Sequence, residues 1–150
     1  GNTYYHNFVT HLLEAAYQRE VYRIVDKGGS VNAQSLNRLM KETLQKFWGD
    51  EVIISDAAAH TWMRQPHYYM GLYSYTYSAG LTIATQACKR IEQEGQPAVN
   101  DWKKVLAAGN TLDPIGLAGL AGIDITTDAP LLDTIAYIGD IIDEIERLTP

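Results

Sequence analysis

Between Pro66 and Gly80 the chain places one histidine and five tyrosines: His67, Tyr68, Tyr69, Tyr73, Tyr75 and Tyr77. These side chains are the ones best suited to chemistry. A phenol keeps its proton at neutral pH, and an imidazole N–H is a second donor. Both strengthen a hydrogen bond as negative charge grows on the acceptor, which is what a carbonyl under nucleophilic attack requires. A tyrosine ring is amphipathic and its O–H needs a partner when buried. Five tyrosines between Tyr68 and Tyr77 therefore imply either a well-satisfied packing interface, the common meaning of an aromatic stripe, or a wall of an aqueous cleft. The cleft is the reading we expect.

The stretch reads as one long helix. Pro66 suits a first helical position, and no proline follows until Pro97, so the helix is predicted to run to about Glu94 and stop at Gly95. At about 100° per residue, His67, Tyr68, Leu72 and Tyr75 fall on one side, and Tyr69, Tyr73 and Tyr77 on a second stripe. Farther on, Ala79, Gly80, Ala84 and Ala87 form a small-residue surface for a neighbouring helix, flanked by Leu81, Cys88 and Ile91. Cys88 is the lone cysteine, so no intrachain disulfide can form, and it reads as a small buried hydrophobe in a reducing cytoplasm.

The other elements are also helical. Val9, Leu13, Ala16, Tyr17, Val21 and Ile24 follow helical spacing up to Gly28-Gly29, with Gln18, Arg19 and Arg23 on other faces. Asn32 caps a second helix bearing Leu36, Met40, Leu44 and Phe47, which Gly49 ends, and the short Gly-Gly-Ser link makes the pair an antiparallel hairpin. Val52, Ile53 and Ile54 suit an extended connection with no partner strand, and Asp56 caps a short turn through Ala57, Ala58 and Ala59. Asn100 is predicted to cap a helix with Trp102, Val105 and Leu106 buried. Asp113-Pro114 opens a short helix closed by Gly122. Thr126-Thr127-Asp128 leads into a last helix that buries Ile135, Ile138, Ile142 and Ile145, while Asp133, Asp140, Asp143, Glu144 and Glu146 face solvent. The fold class is all-α: about six helices and no significant sheet, as a single region over residues 1–150.

Composition narrows the partners. A formal charge of −6 and a pI near 5.1 argue against nucleic acid or an anionic membrane surface. No apolar run reaches the ~20 residues that cross a bilayer. No Ser-His-Asp or Cys-His arrangement and no phosphate-binding glycine loop is present. His6 and His11 lack the spacing of a His-Glu-x-x-His zinc helix. Asp56, His60 and His67 make a poor metal set, because Pro66 interrupts any continuous helical face; no metal ligand is assigned in this chain.

His67-Tyr68-Tyr69 followed by Leu72-Tyr73-Ser74-Tyr75-Thr76-Tyr77-Ser78-Ala79-Gly80 resembles the histidine-and-tyrosine helix near the C-terminus of oligoendopeptidase F, of the thimet-oligopeptidase class of zinc metallopeptidases. The resemblance continues through Lys27-Gly28-Gly29, Phe47-Trp48-Gly49-Asp50, Leu106-Ala107-Ala108-Gly109-Asn110, Asp113-Pro114-Ile115 and Leu120-Ala121-Gly122-Ile123-Asp124. It implies a zinc-dependent hydrolase of short peptides, cytoplasmic, of which this chain is the C-terminal part of the catalytic domain. The zinc-binding helix and its His-Glu-x-x-His motif are not in this sequence, so the chain alone is expected to be inactive. By this resemblance Tyr75 and His67 are the catalytic candidates, Tyr75 for the oxyanion, and Tyr68, Tyr73 and His67 contact the peptide backbone. Leu72 stands where relatives can carry an aromatic. The implied partners are an oligopeptide substrate and the missing N-terminal portion of the same enzyme. Apolar surface left by that missing portion would promote self-association. The alternative is a self-contained helical module that binds a peptide or protein and has no catalytic activity; a stand-alone enzyme with a His-Tyr site has too few residues in its favour.

Overall fold

The structure, a computed structural model, describes residues 2–149. Beyond a three-residue helical segment, Asn2–Tyr4, seven α-helices account for most of it, with no strand among the described residues; the all-α expectation is met. The helices are α1 (His11–Asp26), α2 (Ala33–Trp48), α3 (Asp56–Ala59), α4 (Tyr75–Glu94), α5 (Gln96–Ala108), α6 (Pro114–Leu120) and α7 (Ala129–Leu148). They are distributed over two compact units, one Tyr5–Ser78 and the other from Ala79 onward together with the N-terminal turn ending at Tyr4.

In the first unit, α1 is preceded by a π-helical segment, Tyr5–Thr10. Its most buried side chains are Phe8, His11, Glu14, Tyr17 and Gln18, so the inward stripe is largely polar. This corrects the assignment of Gln18 to an outer face: its amide is buried because it hydrogen-bonds the Tyr68 and Gly71 carbonyls, at 3.3 and 2.9 Å. After Gly28, at φ +81°, α2 opens with a reciprocal cap. Asn32 Oδ1 accepts the Ser35 N–H, and Ser35 Oγ accepts the Asn32 N–H, both at 2.9 Å, a pair worth ~1 kcal/mol to helix stability. Met40 is buried and Gly49 ends the helix, but Phe47 is exposed. The Val52-Ile53-Ile54 run is irregular, with Ile53 almost fully exposed. Ser55, not Asp56, caps α3: its Oγ accepts the Ala58 N–H at 3.3 Å, while Asp56 pairs with Lys41 at 3.1 Å.

The second unit is built on small residues. Ala87 of α4 packs with Ala118 of α6, Ala121 and Ile123, flanked by Ile83, Trp102, Val105 and Ile125. Asp113 caps α6 as predicted, its Oδ1 accepting the Gly116 N–H at 2.7 Å. α5 begins at Gln96 with Gly95 as its cap, so Asn100 lies inside the helix and accepts the Gln96 amide instead. Three further expectations fail. Cys88 is exposed, because it sits one residue beyond Ala87 and so turns away from the core. Leu106 is exposed for the same angular reason. On α7, Ile135, Ile142 and Ile145 are about half exposed, so the isoleucine stripe is not a core face among the described residues. No described helix is long and apolar enough to cross a membrane.

Candidate functional site

The histidine-and-tyrosine stretch is not one helix. Pro66–Tyr69 forms a single 3₁₀ turn, residues 70–74 are irregular, and α4 starts only at Tyr75. Local chemistry explains the break. Gln65, ahead of the proline, is extended at φ −92°, ψ 117°, as the proline ring demands of its predecessor. Gly71 sits at φ +67°, a left-handed conformation that costs other residues ~1–2 kcal/mol. The Gln18 amide then satisfies carbonyls that a helical ladder would otherwise have used.

The break re-sorts the aromatic residues into two groups within this unit. His67 Nε2 lies 3.0 Å from the Tyr77 phenol oxygen. The His67 ring stacks on Tyr73 at 5.7 Å, and Tyr73 meets Tyr77 edge-on at 5.5 Å. Beneath them, the His11 ring is stacked on Tyr77 at 4.2 Å. His11 Nδ1 is 2.8 Å from Glu14 Oε2, and Gln65 Nε2 donates to Glu14 Oε1 at 2.6 Å. Tyr68 points elsewhere. Its ring meets Tyr17 edge-on at 5.5 Å, and with Tyr17, Gln18, Trp62 and Tyr69 it walls a mainly apolar pocket of about 180 Å³. The predicted shared face of His67, Tyr68 and Tyr75 is therefore not formed, since a 3₁₀ turn advances about 120° per residue and Gly71 resets the phase. Tyr75 opens α4 half exposed, and Tyr73 is also accessible.

Three of these phenols, Tyr77, Tyr68 and Tyr17, are held protonated. Tyr77 is pushed above its ordinary range, first by its hydrogen bond with Tyr73 and then by loss of solvent. Burial does the same to Tyr68 and Tyr17, reinforced at Tyr68 by the Glu14 carboxylate and at Tyr17 by Tyr69. Such groups act as hydrogen-bond donors and not as bases. A metal centre does not fit these residues. Among the described residues no group of three or more His, Cys, Asp or Glu could hold an ion. His11 Nδ1 is engaged by Glu14, and His67 Nε2 by Tyr77.

The sequence profile of peptidase family M3 matches residues 4–137. The chain belongs to peptidase family M3. This M3 chain is 28% identical over 134 residues to oligopeptidase PepF of Bacillus subtilis, covering 89% of itself and 20% of that protein. It is 23% identical over 141 residues to an oligoendopeptidase F homolog of Borreliella burgdorferi, covering 94% of itself and 24% of the relative. Oligoendopeptidase-F from Enterococcus faecium has the same fold, with a TM-score of 0.87 at 24% identity over 93% of this chain and 27% of that one. The M3 chain thus spans about a fifth to a quarter of the length of these relatives. Of the site's members, Glu14 and Gln65 were not singled out by sequence reasoning. The available signal was a carboxylate on the inward stripe of α1, three residues from His11 and from Tyr17.

Proposed function

We propose that this chain is the C-terminal part of the catalytic domain of an oligoendopeptidase that hydrolyses short peptides in the cytoplasm. In that enzyme its His67-to-Tyr77 segment contacts the peptide. The observation that carries the reading is the donor arrangement itself: His67, Tyr73 and Tyr77 in mutual contact, with the Tyr75 phenol accessible beside them in sequence, in a chain matched by the M3 profile over most of its length. Tyr75 donates to the oxyanion that develops on the scissile carbonyl, and His67 and Tyr73 hold peptide backbone. Tyr68, its ring packed on Tyr17 and its phenol buried, shapes the adjoining pocket rather than reaching reacting atoms. The zinc of this peptidase class is assigned to polypeptide outside the chain. The chain alone is inactive.

In the intact enzyme, Tyr75→Phe is expected to lower kcat about 10²-fold, the usual cost of one oxyanion donor, with little change in KM. Wild-type turnover removes Tyr75 from the mechanism. The exposed isoleucines of α7 are covered by the remainder of the enzyme and drive self-association in its absence. Light scattering of the chain, alone and with the remainder added in trans, tests this. A monomer insensitive to the addition favours the self-contained binding module.

A further inference from the structure

Glu14 is a carboxylate in an unusual place. It is only 4% exposed, and both of its oxygens are engaged. A buried carboxylate is costly unless donors satisfy it, and the two donors here come from different sides of the site. Oε1 takes the amide of Gln65, the residue immediately before Pro66-His67, at 2.6 Å. Oε2 lies 2.8 Å from Nδ1 of His11, whose ring is stacked on Tyr77 at 4.2 Å and 19°. Tyr77 in turn meets His67 Nε2 at 3.0 Å. One carboxylate thus ties down the backbone that carries His67 and, through His11, the ring of the residue that His67 bonds.

The proton arrangement follows from the same contacts. Glu14 accepts, so His11 donates from Nδ1. His67 Nδ1 is buried without a partner, so the ring proton belongs on Nε2, where the Tyr77 oxygen accepts it at 3.0 Å. A buried lone pair is tolerated better than a buried unpaired N–H. The titratable groups facing the pair are His6 on the π-helical segment, His67 and Tyr68 on the 3₁₀ turn, and Tyr77 on α4.

We propose that Glu14 is a positioning residue: through Gln65 and His11 it fixes the His67–Tyr77 contact and holds His67 as its Nε2–H tautomer. The relevance to peptide binding rests on the role given to His67 above; the positioning does not. Imidazole ¹⁵N–¹H correlation spectra of the labelled 150-residue chain at neutral pH read the tautomers directly. The expected spectrum has the His67 proton on Nε2 and the His11 proton on Nδ1. Glu14→Gln has one acceptor oxygen in place of two, so it loses one of the two bonds, and the single-tautomer signature of His67 is expected to give way to an averaged one. Gln65→Met, which removes only the amide at a half-buried site, is expected to do the same while His11 stays unchanged. Should Glu14→Gln fail to fold by circular dichroism, Gln65→Met decides alone. A mixed tautomer at His67 in the unsubstituted chain, or an unchanged Nε2–H signature in folded Gln65→Met, overturns the inference. A His67→Ala enzyme with undiminished hydrolysis would sink the peptide contact and leave this result standing.

Discussion

His67 Nε2 reaches the Tyr77 phenol at 3.0 Å although the two residues are ten positions apart. On a continuous helix they would be about 15 Å apart along the axis and on different faces. The contact exists only because residues 70–74 interrupt the helix and fold the 3₁₀ turn back against the start of α4. The site is therefore made by a break in secondary structure, and what maintains the break maintains the site.

Among the described residues His67 Nε2 is partnered by the phenol oxygen of Tyr77, and His67 Nδ1 already lacks a partner. Tyr77→Phe keeps the stack on His11 but leaves neither ring nitrogen of His67 bonded. A fall of a few degrees in Tm is expected by calorimetry. An unchanged Tm would mean that water replaces the phenol at no cost.

Gly71 and Gly80 make a matched pair for the backbone argument. A Cβ built on either meets nothing within 4 Å, so packing does not enter. Gly71 is left-handed at φ +67°, whereas Gly80 lies inside α4 without a positive φ. Gly71→Ala is expected to destabilise by about 1 kcal/mol and Gly80→Ala to stabilise by ~0.5–1 kcal/mol, read from urea midpoints. Shifts of the same sign would show that the 70–74 break is not held by the Gly71 conformation.

These outcomes separate what was legible in the sequence from what was not. Asn32, Gly49 and Asp113 announce helix ends through interactions that reach only three or four residues, and the structure places all three at caps. His67, Tyr73 and Tyr75 are candidates by residue type alone. Which way they face was not legible, because it depends on Gln18 satisfying carbonyls 50 and 53 positions away. Glu14 was hidden for the same reason: a carboxylate on an amphipathic helix reads as solvated until its donor, Gln65 at a separation of 51, is known. Ser55 took the cap assigned to Asp56 because Lys41, fifteen residues upstream, draws the aspartate away. Ile135, Ile142 and Ile145 of α7 follow the period of a buried face and still lie about half exposed; periodicity identifies an apolar stripe without saying what covers it.

Within the second unit, α7 is tied to α4 by a polar contact whose pH dependence has a definite sign. Lys89 Nζ pairs with Asp133 Oδ2, which also accepts from Gln86 Nε2 at 2.7 Å; the same amide reaches Thr134 Oγ1 at 3.2 Å. The hydrogen bond from Lys89, then that from Gln86, holds the Asp133 carboxyl below its ordinary value of 3.8. As pH falls the unfolded chain takes up this proton first, so the contribution is complete above about pH 4 and is lost as pH drops through the depressed folded value. Asp133→Asn is therefore expected to be less stable than the parent at neutral pH. The gap should narrow below pH 4, and also at high salt, since the carboxylate is 45% exposed and screened. Guanidinium would mask the charge, so the comparison is made by urea denaturation at neutral and acid pH. A gap independent of pH would mean that packing and the Gln86 amide, not the charge on Asp133, hold α7 in place.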